Sequence, residues 1–164
     1  MIHIIDGFFD RSLDVREEAL SCDFRHHSEV PGVSWIGHRT ERLPRSINVE
    51  YLKAQTYRAL GNEGKSISDI DCYYHYTSEE DMKHPNWLNK YHTDDEYSYA
   101  GVVYLSKDPI PERSGTDFEE GKHTIENVWN RYVLWNAGIR HAIENTFGNS
   151  IDDARLTLSF FVRF

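Results

Sequence analysis

The chain predicts a mainly β domain, a sandwich or barrel carrying α-helices on its outer face. Three observations predict it. Helical patterns occupy only residues 12–60. Beyond Gly64 the chain becomes short runs rich in Ile, Val, Tyr, Phe and Thr, separated by turn clusters. The last run alternates with a period of two, Arg155, Thr157, Ser159 and Phe161 against Leu156, Leu158, Phe160 and Val162. Helices followed by many short strands segregate into layers.

The first helix is expected over 12–21, with Ser12 as its N-cap and Leu13, Arg16, Ala19 and Leu20 on one face. Turns follow around Val30-Pro31-Gly32 and His38-Arg39-Thr40. A second helix is expected over 48–60, with Val49, Leu52, Thr56 and Ala59 sharing a face and Gly61 as its stop. Strands are expected at about 66–78, 97–105, 131–135, 139–143 and 154–164. No repeat or linker divides the chain. One domain, 1–164, is expected, with helices at about 12–60 outside a barrel at about 66–164.

Composition narrows the function. The 164 residues carry 18 Lys and Arg against 27 Asp and Glu, a net charge of −9. With 39% hydrophobic and 13% aromatic residues, this is no disordered acidic tail. No apolar run approaches the roughly 20 residues needed to cross a bilayer. Met1–Asp6 has neither the cationic nor the apolar segment of a signal peptide, so a soluble cytoplasmic protein is expected. Cys22 and Cys72 make neither a disulfide framework nor a zinc ribbon. The acidic balance disfavours nucleic acid as a partner, and the aromatic excess permits a homodimer.

The common phosphate, zinc-protease and calcium motifs are absent, so the nine histidines become the place to look. His92-Thr93-Asp94 puts an imidazole and a carboxylate at i and i+2, two legs of a facial metal triad. His27-Ser28-Glu29 has the same form but no strand behind it, and is discounted. The later order is what singles out His92. A strand from Tyr97 to Leu105 carries Ser98, Ala100, Val102 and Tyr104 on one face. The turn Ser114-Gly115-Thr116-Asp117-Phe118 follows. His141 then sits in an apolar strand 47 positions beyond Asp94, and Arg155-x-Thr157-x-Ser159 opens the last strand 14 positions later.

Taken singly, each of these residues has an ordinary reading. His141 would be a core histidine, Arg155, Thr157 and Ser159 an exposed strand face, and Tyr104 barrel packing. His26, His27, His38, His84 and His123 read as surface residues, as do Arg39, Arg42 and Arg45. Glu79-Glu80-Asp81 reads as a solvated face. Arg131 and Arg140 flank the distal histidine, and 107–122 reads as a surface loop with a lid as the alternative.

As an ordered set, the residues resemble the iron(II)/2-oxoglutarate-dependent oxygenases, in their prolyl-4-hydroxylase-like branch. The resemblance covers about residues 70–164; the opening helix and the Pro31-Gly32 turn resemble a small bacterial and phage type of member. It implies a double-stranded β-helix, a jelly-roll barrel. It implies His92, Asp94 and His141 as iron(II) ligands. Arg155 would hold the distal carboxylate of 2-oxoglutarate, helped by Ser159 or Thr157 and by Tyr104. Gly115-Thr116-x-Phe118 stands where the family has Gly-Gly-x-Phe or Leu, and the interval from His141 to Arg155 is longer than in the family. The implied reaction consumes O2 and 2-oxoglutarate, releases succinate and CO2, and hydroxylates a small molecule or a peptide or protein side chain. The alternatives are a jelly-roll binding or structural module without chemistry, and a zinc-dependent hydrolase on the same ligands, with Asp95 or Asp117 as base.

Overall fold

The computed structural model of the chain describes residues 1–62, 66–119 and 121–164, the side chain of Asn89 excepted. Helix α1 spans Ser12–Leu20 and α2 spans Ile47–Leu60. Among the described residues the strands are β1 (Ile2–Ile5), β2 (Arg25–His26), β3 (His38–Arg39), β4 (Asp69–Thr77), β5 (Tyr99–Tyr104), β6 (Thr116–Phe118), β7 (His123–Ile125), β8 (Tyr132–Asn136), β9 (His141–Ile143) and β10 (Arg155–Arg163).

Both helices lie where the apolar spacing puts them, with two corrections to α1. Ser12 is the first helical residue and not the cap; Arg11 holds that position with no side-chain capping bond. Leu13 is 67% exposed, and the buried face is Val15, Arg16 and Ala19. Arg16 goes inside because its guanidinium donates to the carbonyls of Leu105 at 2.6 Å and Asp152 at 2.7 Å. Helix α2 buries Val49, Leu52, Thr56 and Leu60. Ser46 caps it by accepting from the Val49 N–H, and Gly61 ends it at φ 58°, a conformation open to glycine.

The strands form two antiparallel sheets, one of seven strands in the order β1-β8-β5-β10-β4-β3-β2 and one of three in the order β7-β6-β9. Strand β10 lies inside the larger sheet, paired on one edge with β4 and on the other with β5. Its even-numbered residues, Leu156, Leu158, Phe160 and Val162, join Val15, Ala19, Val49 and Leu52 in the main core, between sheet and helices. Its odd-numbered residues face the smaller sheet. There Thr157 stands opposite His75 and Tyr104, and Ser159 opposite Tyr73 and Val102. Gly101 permits this packing, since a Cβ there would collide with the Phe160 ring and the Val133 carbonyl.

Five strands, β1, β2, β3, β6 and β7, went unpredicted; at two to four residues they are too short to show a period. The stretch 107–122 is not simply a loop or a lid. Ser114–Phe118 is buried and β6 is the middle strand of the smaller sheet, while Glu120 lies outside the described residues. No described helix is long and apolar enough to cross a membrane.

Candidate metal centre

Between the two sheets lies an open cavity of about 870 Å³. Its walls include Tyr73, His75, Val102, Arg155, Thr157 and Ser159 of the larger sheet, and Thr116, His141 and Ala142 of the smaller. At one side stand His92, Asp94 and His141, each offering a ligand atom within 4.8 Å of the others. Asp94 Oδ2 lies 3.3 Å from His141 Nε2, and Oδ1 lies 3.8 Å from His92 Nε2. Both separations exceed the usual hydrogen-bond range of about 2.7–3.2 Å. They suit three atoms facing one cation, which mixed imidazole and carboxylate donors hold well.

The backbone builds this arrangement. His92 and His141 form an antiparallel bridge between the segment before β5 and the start of β9. The Asp94 N–H donates to the Ala137 carbonyl at 2.9 Å, fixing the carboxylate. Each imidazole is oriented in the same way. The Nδ1–H of His92 donates to the Lys90 carbonyl at 2.8 Å, and that of His141 to the Ile139 carbonyl at 2.9 Å. A carbonyl can only accept, so in the neutral form of each ring the proton sits on Nδ1 and Nε2 is the nitrogen left for a metal. Surrounding protein first, and then the adjacent His141 ring, lower the pKa of His92 and favour its neutral form. His141 is buried against Trp135, ring to ring at 4.9 Å, whereas the His92 side chain is 56% exposed.

Across the cavity lies Arg155, 3% exposed. Its Nε donates to the Ser114 carbonyl at 2.9 Å and its Nη2 to the Gly115 carbonyl at 3.3 Å, and the guanidinium carbon stands 5.4 Å from the Tyr104 ring centre. Among the described residues no carboxylate forms an ion pair with it. Burial accordingly lowers its pKa, with Tyr104 opposing. A guanidinium has five N–H donors, and two are taken here. The Tyr104 hydroxyl is buried and shares a proton with Thr116 Oγ1 at 2.6 Å. Thr157 Oγ1 donates to the His75 carbonyl at 3.3 Å and lies 3.1 Å from Ser159 Oγ. All seven candidate residues thus stand on or beside one cavity.

Several other placements differ from expectation. Arg39 is no surface cation. It lines the cavity, caged by Trp35, Tyr73 and Phe161 at 5.2, 5.3 and 5.6 Å, and among the described residues its buried Nε has no hydrogen-bond partner. Burial lowers its pKa to about 10. Only pairing across β3 and β4, a long-range fact, turns it inward. Arg131 pairs with Asp6 at 2.6 Å, and neither it nor Arg140 lines the cavity. Asp95 lines the cavity with its carboxylate held by the Thr93 hydroxyl at 2.7 Å, while Asp117 is engaged by the Tyr91 hydroxyl. His26, His27 and His38 are half-buried, and Asp81 is 3% exposed; none of the four is the free surface group expected of it.

No protein-family model and no curated protein matches the sequence. Solved structures do match over 99% of the chain. A prolyl-4-hydroxylase of Pseudomonas putida aligns with a TM-score of 0.63 at 18% identity, over 91% of its own length. The viral collagen prolyl hydroxylase of Paramecium bursaria Chlorella virus-1 aligns with a TM-score of 0.65 at 14% identity, over 88% of its length. HygX of Streptomyces hygroscopicus, with nickel and 2-oxoglutarate bound, aligns with a TM-score of 0.56 at 12% identity, over 82% of its length. The chain therefore shares the fold of prolyl-4-hydroxylases and of other 2-oxoglutarate/iron(II) oxygenases.

Proposed function

We propose that the protein is an iron(II)/2-oxoglutarate-dependent dioxygenase, its two sheets forming a double-stranded β-helix around the cavity. One observation carries the reading: among the described residues Arg155 is a buried cation without a counter-ion, in a cavity that also holds two imidazoles and a carboxylate converging on one point. A buried charge is costly unless paired. A ligand with one carboxylate for Arg155 and a chelating end for a metal satisfies both requirements, and 2-oxoglutarate is such a ligand.

His92, Asp94 and His141 would hold the iron. With 2-oxoglutarate and O2, iron(II) supplies oxidation of an unactivated C–H bond, releasing succinate and CO2. The chain's own work is positioning. Arg155 offers its remaining donors as a fork to the distal carboxylate, a geometry that arginine provides and lysine lacks. Thr157, Ser159 and the Tyr104 hydroxyl complete the polar end. The carbonyls of Lys90 and Ile139 keep both imidazoles in the ligating tautomer. Arg39, inside its aromatic cage, gives the open part of the cavity a positive charge, which favours a small molecule or peptide with an anionic group as the hydroxylated substrate.

Anaerobic addition of iron(II) and 2-oxoglutarate is expected to produce the visible charge-transfer band of the chelate, and air is expected to release succinate. Absence of the band in the wild type, or its survival in Arg155→Met, sinks the assignment. Metal content measured with succinate release separates this reading from a zinc hydrolase and from a binding module without chemistry.

A further inference from the structure

Outside the cavity the chain gathers a second group of metal-ligating side chains. His26 ends β2, His27 follows it, and Asp81 lies in the 3-10 turn Glu79–Lys83 after β4. Their ligand atoms lie within 4.8 Å of one another, as in the first group. His26 Nε2 is 3.4 Å from Asp81 Oδ1. That is long for a hydrogen bond. It matches the separation of about 3.3–3.4 Å between two ligands at tetrahedral angles on a zinc-sized ion, with bonds of about 2.0–2.1 Å.

Two further observations point the same way. Asp81 is buried, and its Oδ2 accepts from the Ser78 N–H at 2.7 Å and hydroxyl at 3.3 Å. Its Oδ1 faces the imidazoles, so the site holds a buried carboxylate aimed at two nitrogens. The outer partners of the rings are also in place. His26 Nδ1 is 2.6 Å from the Ser28 hydroxyl, and His27 Nδ1 lies between the Gly37 N–H at 3.1 Å and the Gly37 carbonyl at 3.4 Å. His26 Nδ1 also accepts from the Ser28 N–H at 3.4 Å. Metal on Nε2 would put the proton on Nδ1, where His26 donates to the Ser28 hydroxyl and His27 to the Gly37 carbonyl, in place of the bonds accepted from the two N–H groups.

We propose that His26, His27 and Asp81 form a second divalent-cation site, of the zinc class, distinct from His92, Asp94 and His141. Two imidazoles and one carboxylate leave the fourth tetrahedral position to water. The position of the site gives it a consequence. Gly37, whose carbonyl accepts from the His27 N–H at 2.9 Å, follows the strap of residues 31–36, and Gly32, Val33, Ser34, Trp35 and Ile36 of that strap line the cavity. The same end of the strap is tied from within the cavity by His75, whose Nε2–H donates to the Ile36 carbonyl at 2.7 Å. An ion bridging His26, His27 and Asp81 therefore clamps the base of the strap to the turn after β4.

The test uses the full chain stripped of metal, with zinc stoichiometry read by elemental analysis and cobalt(II) as a spectroscopic probe. Wild type is expected to bind two ions per chain, His92→Ala/His141→Ala one, and His27→Gln one with the 2-oxoglutarate chelate band kept. Asp81→Asn is the less safe variant because Ser78 depends on the same carboxylate, so His26→Gln serves as the second. In the His92→Ala/His141→Ala protein, zinc is expected to slow proteolysis within 31–36 severalfold, and addition of His27→Gln to abolish that protection. The double variant decides the proposal whatever the first site does. If it binds no zinc at concentrations on the order of 100 μM, equivalent to less than about 5 kcal/mol of binding, the second site does not exist. Binding that survives His26→Gln and His27→Gln places the ion elsewhere and overturns the assignment equally.

Discussion

His92 and His141 exchange backbone hydrogen bonds, the N–H of each donating to the carbonyl of the other at 3.0 and 2.9 Å. An antiparallel hydrogen-bonded pair places both side chains on one face, a few ångström apart. The proposed metal ligands are thus set by the ladder itself, 49 positions apart in the chain. Their substitutions should behave differently. His92→Ala removes a half-exposed ring and is expected to leave stability within about 0.5 kcal/mol. His141→Ala empties a site packed against Trp135 and is expected to cost about 1–3 kcal/mol. Both should abolish iron binding, as urea melts and metal analysis together would show.

Arg155→Met should separate folding from function. Removing a buried cation that pairs with no carboxylate among the described residues saves its desolvation cost while freeing the Ser114 and Gly115 carbonyls, and is expected to leave the stability of the ligand-free protein nearly unchanged. Binding of 2-oxoglutarate, followed by the chelate band, should weaken on the order of 100-fold, the loss of about 3 kcal/mol of charge-assisted hydrogen bonding. Arg155→Lys should fall between, because an ammonium cannot donate to the Ser114 and Gly115 carbonyls and to a carboxylate with the same planar fork.

Gly115 has no room for a side chain, since a Cβ would run into the Ile125 carbonyl. Its own carbonyl accepts from Arg155. Gly115→Ala is therefore expected to cost about 1–3 kcal/mol of stability and to weaken 2-oxoglutarate binding as well. Unaltered affinity in a folded Gly115→Ala protein would show that the turn does not hold Arg155 in position.

His75 is buried between Arg39 and Arg155, and its pKa lies well below the ordinary value near 6.5, burial being the main cause. The unfolded chain takes up a proton at this site below about pH 6.5 while the folded chain does not. Stability is therefore fully present above that pH and lost as pH falls, by up to about 1.4 kcal/mol per pH unit for this one group. Urea midpoints at pH 7 and pH 5 should differ accordingly. A His75→Gln variant should show a shallower slope.

Arg39 gives access to substrate class. Amino acids offered in pairs, as free acid and as carboxamide, should stimulate succinate release with the acid ahead, and Arg39→Met should erase that ratio. Equal stimulation by acid and amide in the wild type would remove Arg39 as the anchor for an anionic group.

Much of this was legible in the sequence where the signal is local. The period of two in β10 and the three- and four-residue spacing of Val49, Leu52 and Thr56 located those elements correctly. Of the seven candidate residues that the resemblance singled out, six line one cavity and Tyr104 stands beside it, bonded to Thr116. Arg39 and Asp81 were misread because their burial depends on partners distant in sequence. Arg39 enters the cavity because β3 pairs with β4, and the buried Asp81 faces His26, 55 positions earlier in the chain. The short strands β6 and β7 were missed for a related reason: three residues show no period, and their partners alone make them strands.

The position of β10 has a kinetic consequence. Its amides bond on one side to β4 over nine residues and on the other to β5 over six, and one of its faces lies in the main core. The histidines rest on a single bridge and a three-residue strand. Amide exchange should therefore be slowest across Leu156–Val162, requiring near-global opening, and much faster around His92 and His141. As the protein opens, the grip proposed for Arg155 on the acid should outlast the grip proposed for the histidines on the metal.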